Sequence, residues 1–107
     1  MATILAANTG NWSATGTWTG GVVPVAGDIA VANGKTVTLD TLSITVAELR
    51  NDTTGGATAG GGFTMVSGGS LTANIYAGGV GTACVTWAGT AGQTATITGQ
   101  FFGGSVN

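Results

Sequence analysis

The stretch Gly34-Lys35-Thr36-Val37-Thr38-Leu39-Asp40-Thr41-Leu42-Ser43-Ile44-Thr45-Val46 decides the fold. It holds two alternating runs, Val37-Thr38-Leu39 and Ser43-Ile44-Thr45-Val46, on either side of a polar corner. Apolar and hydroxyl residues alternating with period two mark strands that bury one face. The same unit returns twice: Phe63-Thr64-Met65 leads to Ser70-Leu71-Thr72-Ala73, and Val85-Thr86-Trp87 to Thr94-Ala95-Thr96-Ile97. Equivalent positions lie 26 and 22 residues apart on the first face (37, 63, 85), and 27 and 24 on the second (44, 71, 95). Such separations suit one turn of a β-helix, with the differences absorbed in corner loops.

Set in register, the repeats form rows. Val37, Phe63 and Val85 stack inward, as do Leu39, Met65 and Trp87, while Thr38, Thr64 and Thr86 make an outward column. On the second face Ile44, Leu71 and Ala95 point in, as do Val46, Ala73 and Ile97. Two hydroxyl columns then face out: Ser43, Ser70, Thr94 and Thr45, Thr72, Thr96. The expectation is an all-β chain, a short right-handed parallel β-helix (β-solenoid) of about three rungs spaced about 4.8 Å apart. A β-sandwich or jelly roll is the alternative, because short strands joined by Gly-rich turns alternate there too. A sandwich, however, gives no reason for Thr to recur at the centre of successive triplets.

Upstream, residues 2–6 read as a short first strand or an arm. Asn11 to Pro24 then places Trp12 and Trp18 among Gly, Ser, Thr and Asn. A solenoid must cover its terminal rung, which otherwise exposes apolar side chains and unpaired strand edges. Trp12 and Trp18 are the expected N-terminal cap; a sugar-stacking platform is the rival reading. Pro24 ends the segment. Gly27-Asp28 is a turn, Ile29-Ala30-Val31 another apolar triplet, and Asn33-Gly34 a turn whose residues tolerate positive φ. The chain is thus expected to be one β domain over 1–107, with an arm and Trp-rich cap at 1–27 and rungs at 28–107.

Downstream, the alternation changes phase after Val46, which implies a bulge or corner. Glu48 and Arg50 then share a face at a solvated strand end, where they pair weakly. Asn51 to Gly62 reads as a loop, and Gly-rich corners recur at Gly68-Gly69, Gly78 to Gly81 and Gly89 to Gly92. The tail from Phe101 to Asn107 has no cover like the Trp-rich one. It leaves the last rung open, with Phe101, Phe102 and Val106 as candidate interface residues.

At 107 residues there is room for one modest core. Apolar residues make up 43% of the chain and charged ones 6%, an exterior suited to contact with other proteins. Every charge lies between Asp28 and Asp52, and the net charge is −2. Lys35 and Arg50 alone cannot build a phosphate-binding patch, so nucleic acid is not an expected partner. No apolar run approaches membrane-spanning length, so no membrane partner is expected. Met1 to Ala7 lacks the pattern of a secretory signal, pointing to synthesis in a cytoplasm. Cys84 is the single cysteine, which rules out an intrachain disulfide.

The chain has no His, which excludes Ser-His-Asp and Cys-His catalysis and His-ligated metals. Its carboxylates are Asp28, Asp40, Glu48 and Asp52. Asp28 and Asp40 sit at turn positions, where the side chain accepts from backbone N–H groups. No enzymatic activity, cofactor or metal is expected.

The run Asn11-Trp12 … Thr17-Trp18-Thr19-Gly20-Gly21-Val22-Val23-Pro24 … Gly27-Asp28 … Asn33-Gly34-Lys35-Thr36-Val37-Thr38-Leu39-Asp40 resembles the opening of β-helix structural proteins of phages and bacteria. Gly62-Phe63-Thr64 and Cys84-Val85-Thr86-Trp87 resemble their succeeding coils. The resemblance covers most of the chain through architectural motifs and carries no catalytic signature. It implies a virion structural role and, from trimeric phage relatives, a homotrimer. With about three rungs, the expected function is a capsid decoration or cement subunit contacting the major capsid protein in the virion. A fibre or tail-tip glycan-binding module is the alternative, and an ice-binding solenoid a further one, because two hydroxyl columns lie side by side.

Overall fold

The computed structural model describes residues 2–41, 43–50, 61–77, 85–87 and 92–103, without the side chains of 76, 77, 87 and 101–103. Among the described residues there are ten strands: β1 (Thr3–Leu5), β2 (Gly10–Asn11), β3 (Ile29–Val31), β4 (Thr36–Leu39), β5 (Ser43–Arg50), β6 (Gly62–Met65), β7 (Ser70–Ala77), β8 (Val85–Trp87), β9 (Thr96–Thr98) and β10 (Phe101–Gly103). From β1 to β8 consecutive strands fall in alternate sheets. One sheet runs β1-β3-β5-β7-β10, with β9 also on β7; the other runs β2-β4-β6-β8. Pairing between these strands is parallel throughout. A strand therefore pairs with its counterpart from the previous pass and never with its sequence neighbour. Sandwiches and jelly rolls pair antiparallel. The all-β, two-sheet parallel arrangement is instead compatible with a β-solenoid.

The first face has the register expected from the triplets. Val37 pairs with Phe63 and Phe63 with Val85, while Leu39 pairs with Met65 and Met65 with Trp87. Val37, Leu39, Phe63, Met65 and Val85 are all buried. Removing such side chains from water contributes about 1.5–3 kcal/mol each. Thr38 and Thr64 are half-buried and Thr86 is exposed, as an outward column requires.

The phase change after Val46 is a bulge. Between β5 and β7 the register shifts from Thr45↔Thr72 to Glu48↔Asn74, so Val46 and Ala47 together oppose Ala73. The extra residue re-aims the strand. Ile44 fills the core before it, Val46 within it and Leu49 after it. β7 makes the same turn without an insertion, burying Leu71, Ala73 and Ile75 in unbroken alternation.

One expected register is corrected. Leu71 pairs with Ile97 and not with Ala95; Ser70 and Thr72 pair with Thr96 and Thr98. The slip is two residues, so each side chain keeps its side of the sheet. Two features favour it. Ile97 and Ala95 both pack against the core cluster, and Ile97 offers it the larger apolar side chain. Gly99 then reaches the corner with φ 145°, where a Cβ would overlap the carbonyl oxygen of Ala73. Only glycine fits so close an approach.

The N-terminal segment is part of this ladder. β1 pairs with β3 and β2 with β4, so residues 3–11 supply strands to both sheets. At the entry to β4, Asn33 (φ 53°) and Gly34 (φ 79°) make a tight corner closed by the Lys35 N–H on the Ala32 carbonyl at 3.0 Å. Two positive φ values in succession explain the Asn-Gly choice.

Gly99→Ala should destabilise the fold by at least about 2 kcal/mol, because the new methyl meets backbone. Gly16→Ala, with nothing within 4 Å of the added methyl, should stay within about 0.5 kcal/mol of the parent. Urea unfolding measures both; equal stability of the two variants would return β9 to the Ala95 register.

Candidate functional site

Three surfaces take up the residues singled out from the sequence. The first is the N-terminal seam. Trp12 and Trp18 are 4% and 2% exposed, with ring centroids 5.1 Å apart at 78°, an edge-to-face pair. Trp12 also leans on Phe63 at 6.1 Å. The Trp18 indole N–H donates to the Trp12 carbonyl at 2.9 Å, which satisfies the polar handle inside the core. A sugar platform needs open ring faces, and these rings have none.

The segment carrying the rings crosses beside β1 in the opposite sense to the ladder. Ala6 bridges Trp18 antiparallel, and the N–H groups of Ala7 and Asn8 both donate to the Thr17 carbonyl. Thr17, itself buried, donates its hydroxyl to the Asn11 carbonyl at 2.8 Å. Beyond it Val22 and Val25 stand 57% and 63% exposed on either side of buried Pro24.

Two carboxylates stitch this segment to later strands. Asp28 accepts from the N–H groups of Ala2 at 3.2 Å and Val25 at 3.0 Å. These bonds, Val25's first and Ala2's second, hold its pKa below the ordinary 3.8. Asp40 accepts from the Ser13 N–H at 3.0 Å and from the Ser13 hydroxyl. Desolvation is the largest single influence on Asp40 and pushes its pKa up. The Ser13 hydroxyl and N–H, helped by the N–H groups of Asp40 and Trp12, outweigh it, and the net shift is down. Both carboxylates thus act as acceptors for backbone, as the turn positions suggested.

The second surface is the outer side of β3, β5 and β7. Arg50 Nη2 lies 2.7 Å from Glu48 Oε1, with side-chain exposures of 23% and 14%. The expectation of a solvated strand end is therefore corrected: this pair is largely covered. Val31, level with Arg50 in the ladder, is fully buried outside the core cluster that holds Ala30. The all-apolar triplet Ile29-Ala30-Val31 was the available signal, since a one-sided strand would alternate.

The third surface is the exterior of the second face. Ser43, Ser70 and Thr96 form one column, and Thr45, Thr72 and Thr98 the next; all six are exposed. With the two-residue slip each pass contributes a hydroxyl–apolar–Thr triplet: Ser43-Ile44-Thr45, Ser70-Leu71-Thr72 and Thr96-Ile97-Thr98.

Of the candidate interface residues, Phe101 and Phe102 lie in β10, level with Ile75 and Tyr76 of β7. Val106 lies outside the described residues, as do Cys84 and Asp52. Among the described residues no group of three or more His, Cys, Asp or Glu comes together to hold a metal, and no helix is long and apolar enough to cross a membrane. Comparison with family models, curated proteins and solved structures finds no match.

Because both Asp28 and Asp40 have depressed pKa values, each stabilises the fold above the ordinary carboxylate value of 3.8. That stability is lost as pH falls through the lower, folded values. Their contribution to the melting temperature should thus be flat from pH 7 to about 4 and then fall. Asp28→Asn plus Asp40→Asn should melt lower than the parent at pH 7, with the gap narrowing below pH 4; melting curves across this range test it. A gap that persists undiminished at pH 2 would contradict the assignment.

Proposed function

We propose that this chain is a non-enzymatic structural protein of a bacteriophage virion, a capsid decoration or cement subunit. In this reading the two parallel sheets are a short right-handed β-helix of about three rungs. The Trp12–Trp18 segment caps its N-terminal end, and the C-terminal strands meet other virion proteins. The observation that carries the reading is the distribution of charge along the ladder. All six charged residues lie between Asp28 and Asp52, and none follows. Strands β6 to β10 therefore have no Lys or Glu to discourage edge contact. Among the described residues, β8 pairs only with β6, and β9 and β10 only with β7. Edges with no further strand on them among the described residues, and a run of sequence free of charge, support docking of this end against protein.

Asp28 and Asp40 are engaged in holding the N-terminal seam, and Glu48 faces Arg50. Glycoside hydrolysis needs two carboxylates facing one cleft. The pairing of these groups with backbone and cation favours scaffold over catalyst. The threefold assembly rests on resemblance to trimeric phage proteins, and closed cyclic symmetry would leave no growing edge. Localisation in the virion, after synthesis in the host cytoplasm, follows from the same reading.

Sedimentation of the purified chain at micromolar concentration should give a species of three chains. The chain should also co-sediment with capsid shells assembled from the major capsid protein of the same genome. A stable monomer that leaves such shells undecorated would contradict both parts.

A further inference from the structure

We propose that the hydroxyl face of β5, β7 and β9 is an ice-binding surface, an activity independent of a place in the virion. Six exposed hydroxyl side chains occupy a two-by-three array: Ser43, Ser70, Thr96 and Thr45, Thr72, Thr98. Parallel pairing sets successive members of a column about 4.8 Å apart, and two residues along a strand separate the columns by roughly 6.6 Å. The array is regular because the bulge lies beyond it: the register from Ser43 to Thr45 and from Ser70 to Thr72 is unbroken, and the shift begins after Thr45. Ile44 and Leu71, buried beneath, hold the strands against the core, and Ile97 packs there too.

Chemistry selects the ligand. None of the six residues is charged, so an anion or a cation has no partner among them. None is aromatic or acidic, which removes the stacking surface and the carboxylate acceptors that sugars use. Each hydroxyl both donates and accepts, as each water in a lattice must. The β-branched Thr side chains have restricted χ1, so their hydroxyls are held in place before binding and lose little entropy on it. Neutral hydroxyls in a repeating array, four of the six on β-branched Thr, complement ordered water. The column on the other sheet, Thr38, Thr64 and Thr86, has no second column beside it, since Thr36 is level with Gly62. It serves as the internal control.

The test uses the full chain at millimolar concentration, with thermal hysteresis and ice-crystal shape as readouts. The parent should open a hysteresis gap and facet the crystal. Thr72→Lys, at the middle of the array, should abolish both while leaving the circular dichroism spectrum and melting curve intact. Thr86→Lys, on the other sheet, should leave both unchanged. Ser43→Thr with Ser70→Thr completes the array in Thr and should widen the gap; this double variant decides the matter if Thr72→Lys fails to fold. Unshaped ice with the parent overturns the proposal, and so does full activity in folded Thr72→Lys. A change in sedimentation on Thr72→Lys overturns it as well, by showing that a second copy covers the face. None of these outcomes depends on whether the chain decorates a capsid.

Discussion

The parallel backbone ladder between successive passes is the constraint on which the rest of the structure depends. When each residue pairs with a counterpart some 19 to 27 positions away, as Ile29 does with Glu48, Val37 with Phe63 and Phe63 with Val85, its side chain sits directly over that counterpart. An apolar residue facing the core in one pass then demands a core-facing apolar residue in the next, because the interior is continuous along the stack. A hydroxyl on the outside likewise repeats, at about the 4.8 Å separation of paired strands. Core rows, outward columns and even the corner glycines are consequences of that one alignment. The bulge at Val46-Ala47 shows its strength: one inserted residue is absorbed locally, and Leu49 returns to the core level with Ile75.

The ladder must also be started, and the N-terminal segment shows how. β1 and β2 lie along β3 and β4, while the chain between Ala14 and Gly21 turns back across Ala6. Two carboxylates and a pair of buried indoles fix that crossing: Asp28 on Ala2 and Val25, Asp40 on Ser13, Trp18 on Trp12. Two of the six charged residues are thus spent on anchoring, and Glu48 with Arg50 is largely covered. That leaves an exterior dominated by Thr, Ser and Gly, which meets water through hydroxyls and not through charge.

The first face was legible in the sequence because its triplets are unambiguous: Val37-Thr38-Leu39, Phe63-Thr64-Met65 and Val85-Thr86-Trp87 have no alternative partner nearby. The third repeat of the second face was not. In Thr94-Ala95-Thr96-Ile97-Thr98 every second residue is Thr, and a pattern of period two is unchanged by a slip of two. Backbone proximity breaks the tie, through Gly99 against Ala73, and nothing in the spacing of hydrophobics encodes it. β2 was hidden for a different reason: Gly10-Asn11 has no alternating side chains, and only its ladder to Val37 and Thr38 makes it a strand. The burial of Trp12 and Trp18 agreed with their flat, apolar rings. Their mutual hydrogen bond depends on a six-residue loop geometry that composition does not specify.

The register of the stack is fixed at Leu71, where three passes meet and the hydroxyl columns are set. Backbone nuclear Overhauser contacts in isotopically labelled protein report that register directly. Leu71 should show sequential-type contacts between amide and α protons to Ile44 on one side and to Ile97 on the other, in the staggered pattern of parallel strands. Contacts from Leu71 to Ala95, or close α–α pairs of the antiparallel kind, would contradict it.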